Sequence, residues 1–150
     1  MKVALLTREY PPDVYGGAGV HVEYLARELA RREELTVHCW GAERAEPGVV
    51  AHHAWDELSG TAPELAALQA MSIDLRMAAR TEGVDLVHSH TWYANLGGHL
   101  AKLIHGIPHV ATVHSLEPMR PWKREQLGGG YAVGATGAPA ALSCATVLGA

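Results

Sequence analysis

Cysteine is scarce: Cys39 and Cys144 stand far apart, with no CxxC spacing. That argues against a disulfide framework or a structural zinc site and fits a reducing cytoplasm. Basic residues are no more prominent, with 12 Lys and Arg against 16 Asp and Glu for a net charge of -4. They are scattered rather than gathered into a stripe, so neither nucleic acid nor an anionic membrane is an expected partner. No GxxxxGK phosphate loop and no Ser-His-Asp spacing occurs. The apolar run after Met1 and Lys2 is too short for a signal peptide and leads straight into a strand. Charge is also missing from Gln126 to Ala150, where Gly, Ala, Thr and Ser dominate. Several glycines and Pro139 make that stretch a poor membrane helix, and a weakly ordered tail is expected.

What the chain does have is 48% hydrophobic and 19% charged residues over 150 positions, enough for one domain with a real core. Its organising stretch is Met1 to Glu33. Lys2 to Leu6 reads as a buried strand, because Val3, Ala4, Leu5 and Leu6 form a continuous apolar run. The loop TREYPPDVYGGAGVH follows, with Gly16, Gly17 and Gly19 expected to adopt backbone angles closed to other residues and to leave room for a ligand. A helix is expected from about Val20, with Val22, Leu25, Ala26 and Leu29 on one face. Its free N-terminal amides favour an anion in the glycine loop. A nicotinamide dinucleotide fits poorly, because the third glycine of its fingerprint and the acid at the end of strand two are both absent.

Four further strands are expected: Leu35 to Trp40, a weaker edge strand from Val49 to Trp55, Val84 to His88, and Pro108 to His114. Two more helices are expected between them. One opens on a capping box at Thr61-Ala62-Pro63-Glu64, buries Leu65, Leu68, Leu75 and Ala79, and stops at Gly83. The other runs from Ala94 to His105, buries Leu96, Leu100, Leu103 and Ile104, and carries Gly97 and Gly98 for close approach to a neighbour. Alternating strands and helices predict an α/β fold, an open parallel sheet with helices on both faces and a crevice outside the carboxyl ends of its strands.

The unusual residues fall at those ends. Strand one leads to Arg8, Glu9, Tyr10 and the glycine loop, strand four to His88, His90, Thr91 and Trp92, and strand five to His114, Ser115 and Glu117. His88 and His90 share a strand face but lack an evident third ligand, so no metal site is assigned. His114 either donates a hydrogen bond to a sugar hydroxyl or is a satisfied structural histidine. Trp92 and Tyr93 either stack on a sugar ring or pack. Arg120, Lys123 and Arg124 either hold a phosphorylated acceptor or form a solvated loop.

With these residues placed, three segments resemble the N-terminal domain of the glycogen-synthase-like retaining glycosyltransferases, a two-domain GT-B family. They are YPPDVYGGAGVHVEYLARELARR, DLVHSHTW and VATVHSLEPMRPWKREQLGGGY. The last is most similar to the actinobacterial branch that makes glycogen or α-maltose 1-phosphate from ADP-glucose. The resemblance implies a Rossmann-like acceptor-side domain over residues 1–130 and a cytoplasmic enzyme. It moves glucose from ADP-glucose, or another nucleotide-glucose, to an α-glucan or glucose 1-phosphate, with no cofactor and no metal.

By the same resemblance His114 contacts the transferred sugar and is the catalytic candidate. Gly16, Gly17 and Gly19 form the loop near donor phosphates and acceptor. Arg8, Tyr10, His90, Thr91, Trp92, Glu117, Arg120 and Lys123 are the acceptor or sugar contacts. Residues 131–150 depart from the family pattern and read as a low-complexity, frameshifted or disordered tail, so the chain is expected to be an inactive fragment that lacks the donor-binding domain. The readings held beside this one are a nucleotide-sugar epimerase domain and a non-catalytic sugar-phosphate-binding module.

Overall fold

A computed structural model describes residues 1–114. Its centre is β1 (Lys2–Leu6), whose last four residues are all buried. β1 is flanked by two parallel partners, β2 (Glu34–Trp40) and β4 (Leu86–His90), with Leu5 opposite Val37 on one side and His88 on the other. β3 (Val49–His52) and β5 (His109–Thr112) pair in parallel at the two edges, giving the order β3-β2-β1-β4-β5. Strand order therefore reverses between β1 and β4, the place where an open α/β sheet leaves a crevice at its carboxyl rim.

Because side chains alternate along a strand, β1 feeds two cores. Leu5 packs with Val22 and Ala26 of α1 (Gly17–Leu29), together with Val37, Cys39 and Val49. Ala4 and Leu6 pack on the other face with Ile73, Met77 and Ala78 of α2 (Leu65–Ala79) and with Ala94 and Ala101 of α3 (Trp92–His105). Helices thus cover both faces, as the alternating pattern predicts. No helix among the described residues is long and apolar enough to cross a membrane.

Helix boundaries and faces depart from expectation in ways that packing explains. α1 begins at Gly17, inside the glycine loop, and α2 begins only at Leu65, so Thr61 caps nothing. The carbonyls of Ala62 and Pro63 accept from the Leu65 and Ala66 amides, forming a turn where the capping box was expected. α2 buries Ser72, Ile73, Asp74, Met77 and Ala78 and leaves Leu68, Leu75 and Ala79 exposed. α3 buries its small side, Ala94, Asn95, Gly97, Gly98 and Ala101, while Leu103 and Ile104 face outward. The glycines explain this choice. A Cβ on Gly97 would sit 3.1 Å from Asp74 Oδ1, and one on Gly98 would sit 2.2 Å from His109 Nε2. The helix backbone lies so close to its neighbours that only its smallest residues fit, and the larger ones are displaced to the outside.

Polar groups are buried alongside the apolar ones. His38 Nδ1 lies 3.0 Å from His52 Nε2, with the two rings stacked. Ser89 donates to Asn95 Oδ1 at 2.8 Å and accepts from His109 Nε2 at 2.7 Å. Burial, followed by neighbouring positive charge, pushes His38 down to about 3 and His52 to about 4. Burial does the same to His90, to about 3, and His109, to about 4. Asp74 shifts in the opposite sense: burial holds its carboxyl protonated well above the usual carboxylate range.

These shifts set the pH dependence of stability. Each depressed imidazole contributes stability that is complete above the unfolded value near 6.5 and is lost as pH falls toward its folded value. Asp74 contributes stability that is lost as pH rises, but it is one group against four. Stability should therefore peak near neutrality. Between pH 7.5 and 5.5 it should drop by about 1 kcal/mol per buried histidine, partly offset by Asp74. Urea unfolding followed by circular dichroism at the two pH values measures this, and equal midpoints would show that these rings are not held neutral.

Candidate functional site

The carboxyl rim of the sheet gathers side chains from three elements. At the end of β1, Glu9 turns back under the glycine loop, where its Oε2 accepts from the Gly16 amide at 2.8 Å and the Tyr15 amide at 3.2 Å. The anion at the mouth of α1 is therefore supplied by the chain itself, at least for these two donors. Glu9 also explains two of the glycines. A Cβ on Gly16 would lie 3.3 Å from Glu9 Oε1, and one on Gly19 would lie 2.8 Å from both Glu9 Cβ and Oε2. None of Gly16, Gly17 and Gly19 has positive φ, so these residues provide room rather than unusual backbone angles. Gly17 has open space where its Cβ would be.

One helical turn into α1, His21 reaches the ends of β4 and β5. Its ring centroid is 5.7 Å from that of His90 and 5.2 Å from that of His114. His90 Nδ1 lies 3.1 Å from His114 Nε2, and His90 Nε2 is buried without a partner. The His88 ring lies tilted against His90, with centroids 4.3 Å apart, and its Nε2 meets Thr112 Oγ1 at 2.8 Å. Burial lowers His90, His88 and His114, and the neighbouring rings add to the effect; Glu9 opposes it at His114. The rings are thus neutral near pH 7, each with one N–H to donate and one nitrogen to accept.

A cationic and aromatic group borders this cluster. The Arg8 guanidinium lies 4.0 Å from the Tyr93 ring centroid, 5.1 Å from Trp40 and 5.6 Å from Tyr15. The Trp92 ring packs at a tilt against Tyr93, with centroids 3.7 Å apart. Among the described residues Arg8 pairs with no carboxylate, so its charge stays available at the rim.

Tyr10 does not join Arg8. It is buried in the core with Leu5 and Val22, which leaves it poorly placed as the sugar contact the sequence suggested. Glu117, Arg120 and Lys123 lie outside the described residues, as does the 131–150 tail.

Sequence reasoning missed three contributors: Glu9 as the loop's internal anion, His21 as the third imidazole, and Arg44. Arg44 donates to the carbonyls of Tyr10, at 3.1 Å, and Pro11, and pairs with Asp13 at 2.8 Å, fixing the loop before the glycines. His21 carried no signal in the sequence: a helix starting at Gly17 or at Val20 holds it in the first turns either way, and only the fold brings it to the ends of β4 and β5.

Residues 15–145 match the sequence profile of Glycosyltransferase Family 4. The chain belongs to that family. Its sheet is accordingly the Rossmann-like N-terminal half of a GT-B architecture. The chain is 55% identical over 133 residues to an α-maltose-1-phosphate synthase of Mycolicibacterium smegmatis and 57% identical over 133 residues to one of Mycobacterium tuberculosis. Each alignment covers 89% of this chain and 33% of the relative, so the chain spans about a third of their length. An uncharacterized glycosyltransferase of Methanocaldococcus jannaschii is 28% identical over 123 residues, 78% of this chain and 32% of that protein.

Where β4 turns into α3, this family 4 domain stores strain. Thr91 has φ 65° and ψ 160°, a region that essentially only glycine adopts, and its buried Oγ1 has no partner. Thr91→Gly should relieve this strain and Thr91→Ala should not. We expect the glycine variant to be more stable than the alanine variant by about 1 kcal/mol in urea unfolding. An equal or lower midpoint for glycine would mean the backbone there is unstrained.

Proposed function

We propose that this chain is the acceptor-side domain of a retaining hexosyltransferase. The reaction moves glucose from ADP-glucose to glucose 1-phosphate or an α-glucan in the cytoplasm, without a cofactor. The observation that carries this reading is the convergence, at the β1–β4 reversal, of the glycine loop with His90 and His114. The synthases named above favour transfer over epimerisation.

In this reading a neutral His114 donates its N–H to a hydroxyl of the transferred glucose, held in place by His90. The acceptor oxygen bonds to glucose C1 as the C1–O bond to ADP breaks, with α configuration retained, and the acceptor proton ends on the departing diphosphate. Charge on that leaving group is stabilised by preorganised donors, to which Arg8 and the free first-turn amides near Gly17 contribute from this side. Trp92, Thr91 and the segment carrying Glu117, Arg120 and Lys123 belong to the acceptor side.

The rest of the nucleotide site belongs to a second domain. Support for that comes from the length of the relatives, of which this chain spans 33%. The chain alone is therefore proposed to bind without turnover.

The test is a chimera in which residues 1–130 replace the matching segment of the Mycolicibacterium smegmatis synthase. ADP release and glucosyl transfer to glucose 1-phosphate are the readouts. The chimera should transfer glucose, the isolated chain should not, and His114→Ala in the chimera should lower kcat by roughly 10²-fold. A folded chimera that binds ADP-glucose without transferring it would favour the binding-module reading.

A further inference from the structure

The three imidazoles at the rim carry more than the proposed transfer uses. One ring nitrogen each from His21, His90 and His114 lies within 4.8 Å of the others. They come from three separate elements, α1, β4 and the end of β5, so their meeting is a product of the fold rather than of a local sequence pattern. His90 is fully buried, so its ring is held in place by the packing around it. His90 Nδ1 and His114 Nε2 are 3.1 Å apart. In a tetrahedral zinc site the nitrogens are separated by roughly 3.3 Å, as follows from Zn–N distances of about 2.0–2.1 Å.

We propose that His21, His90 and His114 bind a divalent transition-metal ion of the zinc, copper or nickel class. Imidazole ligands suit these borderline ions and not magnesium or calcium, which take oxygen. Each ligand coordinates through an unprotonated ring nitrogen. The ion replaces the proton shared by His90 and His114. His21 is exposed on α1 and has a ring nitrogen within 4.8 Å of those of the other two. The fourth position faces the crevice and takes water.

His88 is not a ligand. Its Nε2 is held by Thr112, and its ring packs at a tilt against His90.

The site has a consequence that rests on the proposed function. His114 cannot hold both the ion and a sugar hydroxyl, so the ion competes with the sugar and acts as an inhibitor rather than a cofactor.

Isothermal titration of zinc chloride into the untagged 150-residue chain tests binding directly, with cobalt(II) as the spectroscopic probe. One equivalent of zinc should bind, and cobalt should show the intense visible absorption of a tetrahedral site. His21→Ala and His114→Ala, neither of which empties the core, should each weaken zinc binding at least tenfold, whereas His53→Ala, at an exposed position away from the trio, should not. Magnesium should not compete.

Absence of saturable zinc binding, or binding that survives both trio variants unchanged, would overturn the proposal. Zinc binding with no inhibition of the chimera would leave the metal site standing and count against His114 as the sugar contact.

Discussion

Everything at the rim depends on one constraint, the parallel pairing of β1 with both β2 and β4. A central strand hydrogen-bonded on each side to strands of the same direction sends its following segments toward opposite faces of the sheet. The loop after β1 goes with α1 to one face, and the loop after β4 goes with α3 to the other. Between them the crevice has to stay open. The continuous apolar run Val3 to Leu6 is what places this strand in the middle, because only a doubly covered strand can bury all four residues.

The mouth so formed is unusual in its polar chemistry. Burial and neighbouring rings lower His88, His90 and His114, while Glu9 satisfies two amides of the glycine loop and lies near enough to His114 to oppose that shift. Arg8 contributes fixed positive charge, held against aromatic faces rather than against a carboxylate. Among the described residues, a ligand meeting this surface finds the Arg8 cation, neutral imidazole donors and open space beside Gly17. That combination suits a polyhydroxylated molecule carrying phosphate better than it suits an apolar one.

Much of the fold was legible in the sequence because it rests on short-range pattern. Strand β1 was read with its observed limits, the order of strands and helices followed from alternating periodicities, and Gly97 and Gly98 signalled the close approach seen against Asp74 and His109. The buried faces of α2 and α3 were both misread, and for α3 the physical reason is visible. Hydrophobicity selects the greasier side, but in α3 backbone proximity selects the smaller one, so Leu103 and Ile104 point outward and Ala101 and Gly98 inward.

The site was legible only in part. Residues at strand ends could be named in advance, since topology dictates where ends lie. The partners of Glu9, Arg44 and His21 could not, because each contact joins segments whose spacing in sequence carries no period. The glycines also had another role than expected: Gly16 and Gly19 yield to a carboxylate from β1's own exit, not to unusual φ angles.

The central claim is that three segments distant in sequence meet at one rim. Proton NOE spectroscopy of the chain, with the histidine rings assigned, tests it most directly. Ring cross-peaks should link His114 to His21 and to His90, whose centroids lie 5.2 Å and 5.4 Å away. A His114 ring that shows contacts only within its own strand, and none to either histidine, would contradict the account.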